Sequence, residues 1–219
     1  MASASDQRDR ASLLDKITGC LTGGAIGDAL GSAYEGKSPP IQFDESLDWN
    51  ITDDTQLGLA TCRAITVAHR VDPAAIADAF ADAFRNRCVS RMGAATYQAL
   101  EGLVAGGHWA LVGRKGEQAA GNGAAMRVAP LAFCLDPENA QDRRTLRDVC
   151  RITHHHDEAY VGALAVVHAV NRAWNGCWTG GPGLVSSVAE QLPDSRVRDR
   201  LREFENPGTV ECLCRHRLR

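Results

Sequence analysis

Apolar residues in this chain recur at three- and four-residue intervals and rarely in strict alternation, a pattern that restricts it to helices packed on helices. Leu14, Ile17, Leu21 and Ala25 line one helical face, and Ile76, Phe80 and Phe84 line another. Asp72-Pro73 marks a helix start: the carboxylate accepts from free N–H groups, and proline fits a first turn in which its missing N–H has no partner to lose. The same spacing predicts helices over 54–68, 94–104, 124–135, 144–152, 158–173 and 182–192. Residues 36–50 and the glycine-rich 106–123 read as loops, and a loop as long as the second is usually functional. With no internal repeat and no visible boundary, the 219 residues are predicted to form one all-α domain.

Charge narrows the partners. Lys and Arg number 24 against 27 Asp and Glu, so no cationic excess is available to neutralise nucleic-acid phosphates. The longest apolar run, 161–170, is half of what a bilayer span requires and contains His168. The first ten residues, MASASDQRDR, carry no apolar stretch of a signal peptide, and a cytoplasmic protein with neither nucleic-acid nor membrane partners is expected. Cys20, Cys62, Cys88, Cys134, Cys150 and Cys177 are scattered singly and read as small buried hydrophobes.

Between Asp28 and Asp54 lie seven acids (Asp28, Glu35, Asp44, Glu45, Asp48, Asp53, Asp54) against one base, Lys37. Asp53 and Asp54 are flanked by the hydroxyls of Thr52 and Thr55 where a helix begins, an oxygen-rich spot suited to Mg²⁺ or Mn²⁺. The same residues also read as a plain helix start, with Asp53-x-x-Gln56 as a capping box and both acids complementing the helix dipole. Residue by residue, both readings stand.

The surrounding motifs add context. Gly19-Cys20-Leu21-Thr22-Gly23-Gly24-Ala25-Ile26-Gly27-Asp28-Ala29-Leu30-Gly31, with Glu35 soon after, precedes Thr52-Asp53-Asp54-Thr55; Gly121-Asn122-Gly123-Ala124-Ala125-Met126-Arg127 and Ile152-Thr153-His154 follow in order. Over about Leu14 to Val170 this resembles the ADP-ribosylglycohydrolase family, whose best-known branch reactivates dinitrogen reductase. The resemblance implies a compact orthogonal multi-helix bundle with two Mg²⁺ or Mn²⁺ ions in a cleft. It also implies hydrolysis of the bond between ADP-ribose and a protein side chain or small acceptor, arginine-linked adducts among them. By the same resemblance Thr52, Asp53 and Asp54 match the first half of the metal site. Glu35 matches the acid that contacts the ion's water or gates the cleft. Gly121, Asn122 and Gly123 match the loop along the ADP-ribose, and His154 a residue at its diphosphate or ribose. The glycines would let backbone approach a ligand closely, and a helix starting near Asn122 would favour an anion; an ordinary turn with an N-cap is the alternative reading of those three residues. Asp28, set among small residues, is expected to support the metal site.

Other residues carry structural readings. Arg127 reads as a helix-surface ion-pair residue and His168 as a hydrogen-bonded core histidine. His154, His155 and His156 cannot all meet one ion from a regular helix, since neighbours point about 100° apart. Cys150 with His154, or Cys212-x-Cys214-x-His216, supplies poor zinc spacing.

The pattern also departs from the family. Its second metal half, Asp-x-Asp-Thr, is absent; Arg91-Met92 stands where many members carry an acid; and the Asp28–Asp53 interval is short, implying a trimmed loop over the cleft. Residues 11–205 read as family-like and 206–219 as a divergent tail, so a truncated or frameshifted member is expected, with apolar surface left uncovered. Half a metal site binds its ion weakly. A catalytically inactive ADP-ribose-binding or immunity-type interaction module is the alternative function.

Overall fold

A computed structural model of the chain describes residues 4–38, 41, 42, 44, 46–178, 180 and 183–204. Within them the chain is mostly helical: α1 (Ala4–Ser32), α2 (Asp53–Ala68), α3 (Pro73–Arg85), α4 (Ala94–Val104), α5 (Trp109–Val112), α6 (Ala140–Arg151), α7 (Asp157–Trp174), α8 (Leu184–Ala189) and α9 (Arg196–Glu203). The all-α expectation holds. Two short strands, β1 (Arg114–Lys115) and β2 (His154–His155), pair in parallel, Arg114 opposite His154 and Lys115 opposite His155.

The core lies where α2, α3, α6 and α7 meet the segment 125–133. Leu57, Ile76, Phe80, Leu100, Val128, Leu131, Val149, Ile152 and Leu164 are shut off from solvent, and burial of each such side chain stabilises the fold by about 1.5–3 kcal/mol. In α7 the buried set Tyr160, Ala163, Leu164, Val167 and His168 follows the helical period. The first helix differs. It packs on α2 and on the turn 129–133, but Leu14 stays 64% and Ile26 55% exposed, so only part of its expected apolar face is covered. Among the described residues no helix is long and apolar enough to cross a membrane.

Several expectations need correction. Residues 124–135 form two 3-10 turns, Ala125–Arg127 and Ala129–Phe133, instead of one α-helix. Pro130 explains this: it offers no N–H to the residue four back, and its ring crowds that carbonyl. No long helix therefore begins at Asn122. The α8 helix is shorter than the expected 182–192, while α6 starts earlier than 144 because Asn139 accepts from the N–H groups of Gln141 and Asp142. The loop 106–123 holds α5, β1 and a 3-10 turn, Glu117–Ala119. Of the six described cysteines, all free thiols, only Cys150 is buried, and Cys88, Cys134 and Cys177 are exposed. Cys212, Cys214, His216 and the expected tail 206–219 lie outside the described residues.

Candidate active site

Asp28, on the last turns of α1, is the bond between the first helix and the second. Its Oδ2 accepts from the Thr52 N–H at 2.8 Å, the Thr55 hydroxyl at 2.6 Å and the Thr55 N–H at 3.3 Å; its Oδ1 accepts from the Thr52 hydroxyl at 2.7 Å. Burial alone would raise this carboxyl, but the hydrogen bonds from Thr55 and Thr52 outweigh it and hold Asp28 below the ordinary value. Thr55, expected as an oxygen beside the two carboxylates, instead spends both its hydroxyl and its N–H on Asp28.

Thr52, not Asp53, caps α2, its hydroxyl accepting from the Asp54 N–H. The expected capping box is therefore displaced: Gln56 accepts from the Ser90 N–H at 2.7 Å, and the Asp53 N–H donates to the Ser90 carbonyl at 3.1 Å. Freed from capping, Asp53 points inward and is 5% exposed. Burial, then the charge of Asp54, with Glu35 and Asp28 adding to them, pushes its carboxyl up to about 7. Asp54 is raised as well, by burial first and then by Asp28. Among the described residues neither acid has a cation within ion-pair distance.

That imbalance bears on a divalent ion. The donors are hard oxygens, and a cation would relieve the mutual repulsion, so Thr52, Asp53 and Asp54 fit Mg²⁺ or Mn²⁺ in chemistry. They are few in number: among the described residues no three His, Cys, Asp or Glu side chains are grouped to hold an ion.

A cleft of about 220 Å³ brings Glu35, Asp53 and Asp54 together with Gly121, Asn122, Gly123 and His154. Thr52 faces an adjoining, largely apolar cleft of about 470 Å³ between α1 and α2, shared with Asp28, Glu35 and Asp54. The β1–β2 pairing, invisible in the sequence, lays the segment before the glycine loop against His154.

The reason for Gly123 is concrete. A Cβ there would sit 2.5 Å from His154 Cε1 and 3.0 Å from Thr96 Oγ1, whereas at Gly121 the nearest atom, His154 Nε2, is 3.4 Å away. The loop is thus glycine-rich to admit the imidazole ring. Buried and facing Arg127 and Arg114, His154 is pushed down to about 4 and is neutral at physiological pH; its Nδ1 lies 2.8 Å from Thr153 Oγ1.

Arg127 overturns its expected surface role. It is 1% exposed, and burial lowers it to about 10, so it remains charged. Its guanidinium lies over the Phe80 ring, donates to the Gly123 carbonyl and donates to the Val149 carbonyl at 3.3 Å. It ties the glycine loop to α6. His168 is buried as expected, yet its Nε2 has no hydrogen-bond partner, and burial pushes it down to about 4. His154 and His155 form β2 and His156 caps α7, so the three do not share a helix.

Fold and cleft together define an all-helical domain whose carboxylates at one helix start face a glycine loop and a neutral histidine. The family model for ADP-ribosylglycohydrolase matches residues 9–216. The chain belongs to the ADP-ribosylglycohydrolase family. It is 28% identical over 170 residues to an "Uncharacterized protein" of Archaeoglobus fulgidus, covering 71% of this chain and 55% of that one. Its fold is similar, with a TM-score of 0.59 and 25% identity, to a solved chain described as an "ADP-ribosylglycohydrolase-related protein complex", covering 88% of this chain and 62% of that one. The chain thus spans a little over half the length of these relatives.

Proposed function

We propose that the cleft binds an ADP-ribosyl compound and hydrolyses the bond between ribose C1″ and its acceptor, with Mg²⁺ or Mn²⁺ held by Thr52, Asp53 and Asp54. The observation that carries this reading is the meeting of Glu35, Asp53 and Asp54 with the 121–123 loop and His154 in one cleft, in a chain of this family. The diphosphate lies along the glycine loop. With the Thr153 hydroxyl donating to Nδ1 of His154, the Nε2–H is left to donate to a phosphate oxygen, and a neutral ring does so without competing for the cation. Such a bond breaks through a cation-like sugar, which the acidic end of the cleft stabilises. As the water oxygen adds to C1″, Glu35 takes its proton; the bond from C1″ to the acceptor breaks, and the acceptor leaves with that electron pair and then takes up the proton. A bound divalent ion lowers the pKa of water and orients ribose oxygens.

The test is incubation with a panel of ADP-ribosyl compounds, N-linked and O-linked, in Mg²⁺ or Mn²⁺. Release of free ADP-ribose, lost in Asp53→Ala and in Asp54→Ala, is the expected result. Binding without release under either metal replaces the hydrolase with a binding module; neither binding nor release overturns both.

A further inference from the structure

Arg91 lines the small cleft and has no part in the chemistry above. Its φ is +59°, in the left-handed region, which is strained for a non-glycine residue and persists only where the surroundings impose it. Here the first turn of α2 does so: the Ser90 N–H donates to Gln56 Oε1 at 2.7 Å, and the Ser90 carbonyl accepts from the Asp53 N–H at 3.1 Å. The turn that presents Asp53 therefore also sets the conformation of Arg91. The side chain crosses to the end of α1 and donates to the Ser32 carbonyl at 3.4 Å. Among the described residues no carboxylate lies within ion-pair distance of its guanidinium. Arg114, half-buried in the same cleft, is bonded to Gln118 and pairs opposite His154, on the side of the glycine loop.

We propose that Arg91 sets the acceptor specificity of the cleft, selecting ADP-ribosyl compounds whose acceptor side carries a phosphate or carboxylate and discriminating against guanidinium-linked ones. This rests on the hydrolase reading, in which the diphosphate lies by the glycine loop and the scissile bond by the acids. Whatever lies beyond the acids is then the acceptor, and Arg91, which lines the same cleft and is held to the Ser32 carbonyl at the end of α1, is assigned to that side. Its planar fork matches phosphate or carboxylate bidentately. A guanidinium on the acceptor meets a like charge there, and a repulsion that weakens binding about tenfold is expected. With a phosphate acceptor, water oxygen bonds to C1″, the C1″–O bond breaks, and the leaving phosphate carries away the electron pair and, after transfer, the proton.

The experiment measures affinities of ADP-ribose, ADP-ribose 1″-phosphate and an ADP-ribosylated guanidine (ADP-ribosylagmatine) at fixed Mg²⁺ for the native chain, Arg91→Asn and Arg91→Asp. Asn and Asp tolerate the left-handed region, and a thermal melt verifies that both variants fold. The native chain is expected to bind the 1″-phosphate about tenfold more tightly than the guanidine, Arg91→Asn to erase the difference and Arg91→Asp to invert it, with ADP-ribose itself bound equally by all three. Unchanged selectivity with intact ADP-ribose binding overturns the role of Arg91 and leaves the hydrolase reading standing. Loss of ADP-ribose affinity in both variants overturns the acceptor-side placement. Failure of the native chain to bind any of the three overturns the underlying reading, and this inference with it.

Discussion

Replacing Asp28 with Ala severs the polar link between α1 and α2. Four hydrogen bonds end on this carboxylate, three of them at 2.8 Å or less. Bonds to a charged group are worth about 1.5–3 kcal/mol each, but they share one acceptor that is only half-buried, so about 1 kcal/mol for each short bond is the reasonable scale. Asp28 also repels Asp53 and Asp54, and losing that repulsion returns about 1 kcal/mol. The net loss is about 2 kcal/mol, or a fall in Tm of about 4–8 °C for a chain of this size. Because the folded Asp28 lies below its ordinary value, its contribution is present above about pH 4 and fades as pH falls through the folded value. Urea unfolding at pH 7 and pH 3, followed by circular dichroism, measures both. A double-mutant cycle with Thr55→Val is expected to give a coupling of about 1 kcal/mol. An Asp28→Ala chain within 0.5 kcal/mol of native at pH 7, a difference ordinary for an uninvolved surface site, would refute the reasoning.

Gly123→Ala forces a methyl to 2.5 Å from the His154 ring; a cost of about 1–3 kcal/mol is expected, with ADP-ribose affinity reduced at least about tenfold, while Gly121→Ala stays near native in stability and binding. Asp53, raised to about 7 when folded, favours the folded state below about pH 4 and loses that contribution as pH rises through 7; Asp53→Asn is therefore expected to be more stable than native by roughly 2 kcal/mol at pH 8, in denaturant titrations without divalent ions, and to gain less from added Mg²⁺. Arg127→Met leaves the Gly123 and Val149 carbonyls without their buried donor, and urea unfolding is expected to show a loss of about 2–4 kcal/mol.

Helices whose ends carry their own local signals were legible in the chain. Asp72-Pro73 opens α3 as written, and 94–104 and 158–173 match α4 and α7 within a residue, because each has an apolar stripe with a cap or break beside it. The region 124–135 misled because the apolar spacing is helical while Pro130 forbids the helix, so the covalent restriction overrode the pattern. The α9 helix escaped notice for the opposite reason. It is strongly polar and has no long apolar stripe to reveal it, although Ser195 caps its start and the distant Glu158 carboxylate accepts from the N–H groups of Arg196 and Val197. At the cleft, the acids and the glycine loop are visible as residue types, and the structure brings them together. What holds them there is non-local: the β1–β2 pairing, the burial of Arg127 and the four bonds to Asp28 join segments far apart in the chain, and no local spacing reports them.

The proposed activity requires that ADP-ribose bind in the cleft. An amide ¹H–¹⁵N spectrum of the chain titrated with ADP-ribose in Mg²⁺ reads this directly. Saturable shifts concentrated at residues 52–55, 121–123 and His154 are predicted. Shifts scattered elsewhere, or none while the spectrum remains that of a folded protein, would contradict it.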